Sequence, residues 1–284
     1  MTRRTLMVVH AHPDDEVFRT GGIMAKYAAA GHRVIAVYAT RGECGEMHDP
    51  DLSAEDALPR LGEIREREVR RACAVFGVHE LHFLGYRDSG MRDSDDNKRP
   101  DAFCNVPVDE AGARLAAVMR ETRPQVVVTY DEFGEKGYEH PDHVMVNRVT
   151  VAAFNSLLGE PGSPEKLYYG GRSREGFRQQ VEGLRTLGLS IPWLKGDFNF
   201  DEFGVPDSEI TAHIDIRNVA HLKKQALAAH RTQIPPDFYY FAVPDEAFTE
   251  FMGVEHFERI YPAPQPGEQE DDLFEGISDS AAAA

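Results

Sequence analysis

The chain has few cysteines, few basic residues and no long apolar run, and each shortage argues against a class of protein. Its 3 cysteines are widely spaced and form no Cys-x-x-Cys pair, which argues against a disulfide framework and against a thiolate zinc site. No segment approaches the roughly 20 apolar residues of a membrane helix, and the first apolar run ends at His10. Neither a signal peptide nor a membrane anchor is therefore expected, and a cytoplasmic protein is predicted.

Acidic residues outnumber basic ones, which limits the partners. Lys and Arg number 31 against 48 Asp and Glu, so the net charge is −17. A field of this sign repels phosphate backbones and anionic membranes, and nucleic acid is not expected as a partner. A small-molecule ligand fits better, and the sequence leaves a homo-oligomer open.

The 284 residues are 42% hydrophobic and alternate between strand-like and helical patterns, as in a folded α/β protein. Short β-branched runs followed by helices indicate βαβ units, which build a parallel sheet. A Rossmann-like, mostly parallel sheet with helices on both faces is therefore predicted, with a smaller C-terminal α+β portion. The predicted elements of the sheet core are 5–9, 20–30, 33–39, 61–76, 81–84, 109–122, 125–130 and 141–158.

Composition divides the chain into a single domain, 1–264, and a tail, 265–284. Within the domain, a core at 1–158 precedes a C-terminal portion at 159–264, where only 168–169, 210–216 and 219–230 carry a clear pattern. The tail has six acidic and no basic residues and ends in four alanines. It is expected to be mobile, although Leu273 and Phe274 could dock.

The first polar cluster, His-Pro-Asp-Asp-Glu at 12–16, directly follows the first strand. In a parallel sheet this position is the crevice at the carboxyl ends of the strands, where ligands bind. An acidic turn that starts a helix would explain the acids, but not the histidine. His12 and Asp15, three residues apart, offer the imidazole and carboxylate of a metal site.

The second cluster, Tyr138 to His143, follows the fourth strand. His140 and His143 would lie one helical turn apart, a spacing that alone occurs more often in surface or core histidines. Because both clusters leave the same edge of the sheet, His12, Asp15 and His143 form a candidate two-His, one-carboxylate triad. Such a triad leaves positions open for water and substrate, as catalytic zinc requires.

Together the two clusters resemble the LmbE/PIG-L superfamily of zinc-dependent deacetylases and amidases, whose signatures are His-Pro-Asp-Asp-Glu and His-Pro-Asp-His. Further segments look most like the mycothiol S-conjugate amidase branch, and next like the deacetylase of mycothiol biosynthesis; they lie at 40–43, 88–90, 123–124, 129–131 and 270–274. The resemblance implies hydrolysis of an amide on a glucosamine-type sugar with one zinc ion per chain. It places mycothiol S-conjugates first as substrates and an N-acetylglucosaminyl compound second.

The resemblance also implies individual roles. His12, Asp15 and His143 would hold the zinc, and Asp14 would be the general base, with a helix N-cap as its alternative role. By position, His140 and Tyr138 would stabilise the oxyanion. A hydrogen bond from a neighbouring imidazole to the Asp142 carboxylate would fix that imidazole's tautomer.

Three further residues are substrate-binding candidates. Arg65 and Glu68 fall within the apolar face of helix 61–76. Periodicity supports an i,i+3 ion pair between them and a contact of Arg65 with substrate equally well. The resemblance favours the substrate contact. Asp88 matches a family aspartate that binds sugar hydroxyls, with a turn as its alternative. Arg19 stands where the amidase branch has lysine, which keeps the charge but changes the reach.

Rival functions lack their motifs. No Gly-x-Gly-x-x-Gly follows the first strand, and neither a P-loop nor a Gly-x-Ser-x-Gly elbow occurs. A metal phosphoesterase would need more carboxylates around two metals. A non-catalytic metal-binding module remains the alternative from another class, and Asp14 argues against it because hydrolysis needs a spare carboxylate.

Overall fold

A computed structural model of the chain describes residues 2–78, 80–138, 140–189, 191, 194 and 198–277. The strands of this part are β1 (Thr5–His10), β2 (Arg33–Tyr38), β3 (Glu80–Phe83), β4 (Val126–Thr129), β5 (Lys166–Gly171), β6 (Ala212–Asp215) and β7 (Val254–Tyr261). They form one sheet in the order β3-β2-β1-β4-β5-β7-β6.

Helices cover the sheet, and none of those in the described residues is long and apolar enough to span a membrane. They are α1 (Asp15–Arg19), α2 (Gly21–Ala29), α3 (Ala54–Ala57), α4 (Leu61–Val75), α5 (Val108–Thr122), α6 (Pro141–Leu157), α7 (Arg174–Thr186), α8 (His221–Leu227), α9 (Tyr239–Ala242) and α10 (Asp245–Met252).

The first five strands are parallel, and both faces of the sheet are buried. β1 pairs with β2 on one side and β4 on the other, and β3 and β5 extend the sheet in the same direction. Leu6 and Val8 pack in one apolar cluster with α2 and α4, whereas Met7 and Val9 pack in the other with α5 and α6. The predicted α/β fold is confirmed, and it directs the segments after β1 and β4 to one edge of the sheet.

The C-terminal portion continues this same sheet. β7 is antiparallel to both β5 and β6. Its pattern escapes sequence analysis because Glu255 and Arg259, two of its buried positions, are charged. Glu255 accepts a hydrogen bond from Lys223 at 2.7 Å, and Arg259 donates to Glu270 at 2.6 Å. The strand therefore buries paired charges at these positions, where an ordinary strand would bury apolar side chains.

The segment 265–277, assigned to the tail by composition, contributes several buried side chains to the fold. Leu273 and Phe274 are buried in the core cluster. Buried Glu270 accepts hydrogen bonds from Lys166 at 2.5 Å and from the Tyr168 hydroxyl at 2.8 Å. At least one acidic residue of this segment therefore neutralises a buried cation, the Lys166 ammonium. Residues 278–284 lie outside the described part of the chain.

Candidate active site and metal centre

The first motif turns sharply between β1 and α1. Asp14 has a left-handed backbone, with φ of 102°, and Asp15 begins α1. Asp15 Oδ2 accepts a hydrogen bond from the His12 backbone N–H at 2.7 Å and lies 3.4 Å from His12 Nδ1. The turn thus brings the His12 ring and the Asp15 carboxylate together.

The second motif begins α6 and completes the cluster. His140 is the N-cap of α6, where its Nδ1 accepts a hydrogen bond from the Asp142 backbone N–H at 3.2 Å. One turn further, His143 Nε2 lies 3.3 Å from Asp15 Oδ1. The ring of His140 is centred 4.7 Å from that of His12 and 5.2 Å from that of His143.

Asp142 and Asp88 lie on the other side of His12. His12 Nε2 is 3.2 Å from Asp142 Oδ2 and 3.5 Å from Asp88 Oδ1. The Ser89 backbone N–H also donates to Asp142 Oδ2, at 3.0 Å. A carboxylate that holds one ring nitrogen leaves the other free as a metal ligand, and here the free nitrogen, Nδ1, faces Asp15.

The buried donor groups suit a divalent cation. Among the described residues, two triplets place one donor atom each within 4.8 Å of the others: His12, His140 and His143, and His12, Asp88 and Asp142. The expected triad with Asp15 is not one of them, although Asp15 lies near His12 through Oδ2 and near His143 through Oδ1.

The charge balance of the cluster also favours a cation. Burial would lower the pKa of His12, but Asp88, Asp142 and Asp15 together raise this pKa well above its ordinary value. The surroundings therefore stabilise positive charge at this point. Imidazole and carboxylate donors fit zinc and similar ions, so the residues present fit a metal.

Adjacent carboxylates have opposite tendencies to take a proton. Burial raises the pKa of Asp14 to about 6, although Arg65 opposes this. Burial would also raise the pKa of Asp15, but the charge of His143 and the hydrogen bond with His12 lower it well below its usual range. Asp15 is suited to remain ionised as a ligand, and Asp14 to accept a proton near neutral pH.

His140 belongs to this cluster, and the Tyr138 ring lies beside it. Burial and the charges of His12 and His143 lower the pKa of His140 to about 3, so its ring is neutral. Because its Nδ1 accepts a hydrogen bond, its proton is on Nε2, which can donate. Tyr138 is 51% exposed, and its ring is centred 6.1 Å from that of His140 and 5.5 Å from that of His143.

Arg65 and Asp88 are engaged with protein groups. Arg65 donates to the Gly42 carbonyl at 2.8 Å and the Pro13 carbonyl at 2.6 Å, and its Nη2 lies 3.4 Å from Asp14 Oδ1. Glu68 does not pair with it in the described contacts; the Glu68 carboxylate instead accepts hydrogen bonds from the Thr232 N–H and hydroxyl at 2.9 and 2.6 Å.

The oxygens of Asp88 accept hydrogen bonds from the Cys44 N–H at 3.0 Å and the Gly90 N–H at 2.8 Å.

Among the described residues, Glu135 connects Arg19 with the centre. Its guanidinium pairs with the carboxylate of Glu135, and the second oxygen of Glu135 lies 4.0 Å from His143 Nδ1. Both side chains are largely buried. The Arg19 guanidinium is therefore paired with a carboxylate that lies beside His143.

Sequence reasoning missed several residues that support the cluster. Tyr130 stacks on His143 and donates to Asp15 Oδ2 at 2.7 Å. Its position just after β4, at the edge where β1 also ends, was the available signal. Glu16 ends the first motif and His230 begins the segment 230–233, which also resembles a family segment. The two form a buried pair at 2.7 Å, and this pairing could not be predicted because 214 residues separate them in the chain.

Comparison with known proteins gives the family. The family model described as PIG-L: GlcNAc-PI de-N-acetylase matches residues 7–154. The chain belongs to this family. It is also 41% identical to the 1D-myo-inositol 2-acetamido-2-deoxy-alpha-D-glucopyranoside deacetylase of Thermobifida fusca, over 96% of this chain and 100% of the relative. The enzyme of the same name from Acidothermus cellulolyticus is 41% identical, over 96% of this chain and 95% of the relative.

Solved structures share the PIG-L fold at lower identity. The N,N'-diacetylchitobiose deacetylase of Pyrococcus horikoshii matches with a TM-score of 0.58 and 22% identity, over 97% of this chain and 86% of that one. GalB, a 4-carboxy-2-hydroxymuconate hydratase from Pseudomonas putida, matches with a TM-score of 0.56 and 17% identity, over 92% and 98%. These structures show the fold alone, and the hydratase shows that the fold also carries another reaction.

The family expectation is thus confirmed, and this PIG-L chain is a hydrolase that cleaves an amide. The relatives favour the deacetylase alternative over the S-conjugate amidase that was expected first.

Proposed function

We propose that this PIG-L chain is a zinc-dependent N-deacetylase of an N-acetylglucosamine conjugate, with 1D-myo-inositol 2-acetamido-2-deoxy-α-D-glucopyranoside as the first candidate. Support comes from two relatives of that name, each 41% identical over 96% of the chain. The acetyl group would leave as acetate and the glucosamine nitrogen as a free amine.

The observation that carries the proposal is the pair Asp14 and Asp15, adjacent carboxylates with pKa values shifted in opposite directions. His12, Asp15 and His143 would hold the cation, which when bound polarises the amide carbonyl and makes water a better nucleophile. Asp14 stays outside this set, and its pKa of about 6 suits proton exchange at neutral pH.

The protein's own groups then divide the work. Asp14 takes a proton from the attacking water and passes it to the departing amine. His140, neutral and protonated on Nε2, donates a hydrogen bond to the carbonyl oxygen as negative charge develops there, and Tyr138 assists from its loop. Arg65, Asp88 and Arg19 stay the proposed substrate-binding residues, and each also contacts protein groups.

The test is an amine-release assay with two substrates. The metal-loaded chain is incubated with N-acetylglucosaminyl-inositol or with a mycothiol S-conjugate, with and without a chelator. Chelator-sensitive release of amine that favours the acetyl sugar supports the proposal. Preference for the conjugate would make this chain an amidase, and no release from either substrate would overturn the proposal.

A pair of variants tests the role of Asp14. Asp14→Asn is expected to retain the metal and lower kcat by ~10²- to 10⁴-fold, the range for a general acid–base group. Asp109→Asn makes the same change at an exposed position on α5 and should leave kcat unchanged. Full activity in Asp14→Asn would remove Asp14 from the mechanism.

A further inference from the structure

The backbone at Asp14 is strained. Its φ of 102° and ψ of −27° lie outside the regions that L-residues other than glycine readily adopt. Such a conformation costs on the order of 1–3 kcal/mol and persists only where the surroundings hold it. The contacts around Asp14 must therefore include groups that maintain this turn.

Both ends of the peptide unit between Pro13 and Asp14 are held. Its carbonyl oxygen accepts a hydrogen bond from Arg65 Nη2 at 2.6 Å, and its N–H donates to Glu16 Oε2 at 2.9 Å. Turning this peptide unit by half a revolution would return φ of Asp14 to the favourable negative range. The turn would also break both hydrogen bonds and bring the carbonyl oxygen towards the Glu16 carboxylate.

Glu16 is itself fixed from the C-terminal portion of the chain. Its Oε1 lies 2.7 Å from His230 Nε2, and both side chains are 0% exposed. A buried ion pair of this kind adds little stability relative to apolar packing, because desolvation offsets most of the attraction. The pair therefore contributes little stability as a link between distant chain segments. The second oxygen of Glu16, Oε2, accepts the hydrogen bond from the strained Asp14 N–H directly.

We propose that Arg65 and the Glu16–His230 pair clamp the Pro13–Asp14 peptide and so aim the Asp14 carboxylate at the reacting water. His230 is thus a positioning residue that acts through Glu16 and touches neither substrate nor metal. The inference rests on the proposed role of Asp14 as general base. It also explains why the C-terminal portion contributes a buried histidine to the first motif.

Three variants test the clamp by kinetics. His230→Phe keeps a large ring but removes the hydrogen bond to Glu16, and kcat is expected to fall ~10- to 100-fold with KM and bound metal unchanged. His230→Gln offers an amide N–H near the place of Nε2 and should restore much of the rate. Glu270→Gln is the matched control, because it disrupts another buried ion pair at Lys166, which begins β5 at the opposite edge of the sheet.

Thermal unfolding separates positioning from stability. Both His230→Phe and Glu270→Gln are expected to lower Tm, but only His230→Phe should lower kcat at temperatures where each variant is folded. Equal kcat in the two variants would overturn the clamp and leave His230 a structural residue.

Crystal structures of wild type and His230→Phe provide a readout that is independent of activity. The wild type should keep φ of Asp14 positive, and the variant should show the Pro13–Asp14 peptide turned and φ negative. A positive φ in the variant contradicts the clamp. An inactive, metal-loaded wild type with the positive φ would instead overturn the proposed function and leave the clamp's geometry standing.

Discussion

Tyr130 lies flat on His143, with ring centroids 4.3 Å apart and ring planes 14° apart, while its hydroxyl donates to Asp15. One side chain therefore orients two of the three residues proposed to hold the metal. Groups behind metal ligands fix the ligand orientation, and their loss typically weakens metal binding 10- to 100-fold.

Tyr130→Phe tests this orientation. The variant keeps the stacked ring but loses both hydrogen bonds of the hydroxyl, the one donated to Asp15 and the one accepted from the Ala11 N–H. Because the first of these orients the Asp15 carboxylate, we expect the affinity for zinc to fall ~10-fold or more. Competition with a chromophoric chelator measures the affinity. Tyr86→Phe is the control, since the buried Tyr86 hydroxyl has no hydrogen-bond partner in the described structure; an equal loss in both variants would contradict the role of Tyr130.

Gly134 permits the loop after β4 to approach α6. Its φ is +65°, and a Cβ there would lie 2.4 Å from the Val144 backbone nitrogen. Gly134→Ala is therefore expected to lower Tm strongly and to reduce activity, because the loop must move away from His143.

Gly159→Ala is the matched control for Gly134→Ala. Gly159 also has a positive φ, +87°, but a Cβ there meets nothing within 4 Å. This variant bears only the backbone strain, ~1–2 kcal/mol, and should keep its activity. Thermal unfolding and the amine-release assay compare the two; similar losses would show that backbone strain alone decides the effect.

His256 makes stability depend on pH. Burial, and next the neighbouring His213, lower the pKa of His256 to about 4. Between pH 6.5 and 4 the unfolded chain binds a proton at this position and the folded chain does not, so the free energy of unfolding falls as pH falls. The contribution is at most about 3 kcal/mol.

Urea unfolding at pH 7 and pH 4.5 checks the His256 prediction. In His256→Gln the loss of stability between these pH values should be smaller than in wild type. The same replacement at exposed His221 should leave the wild-type loss unchanged. An unchanged pH dependence in His256→Gln would show that this histidine is not the group responsible.

Removal of residues 265–284 should prevent stable folding. The truncation leaves the buried Lys166 and Arg259 without the Glu270 carboxylate, and breaking a buried ion pair lowers the free energy of unfolding by ~3–5 kcal/mol. It also exposes the part of the core that Leu273 fills. Together these losses approach the 5–15 kcal/mol total stability of a typical domain. A chain shortened after Ile277 keeps every contact described above, and circular dichroism should show it folded; a folded chain 1–264 would contradict the prediction.

Local pattern was sufficient for much of the fold. β1, β2, β4, α4 and α6 follow from apolar periodicity because most of their buried positions are apolar. The two His-containing motifs could be assigned to one edge because parallel strands share their carboxyl ends. β7 and residues 265–277 could not be read in this way. Their buried positions include Glu255, Arg259 and Glu270, whose burial depends on partners elsewhere in the chain.

The sequence by itself determined the fold class, the family resemblance and the set of groups at the candidate site, since these depend on residue type and on spacing along the chain. Tertiary structure alone decided what each group contacts. It pairs Arg19 with Glu135 and Glu68 with Thr232, and it brings His230 to Glu16 across 214 residues. Spacing along the chain carries no information about such contacts, because they form only when the sheet brings distant segments together and burial forces each charge to find a partner.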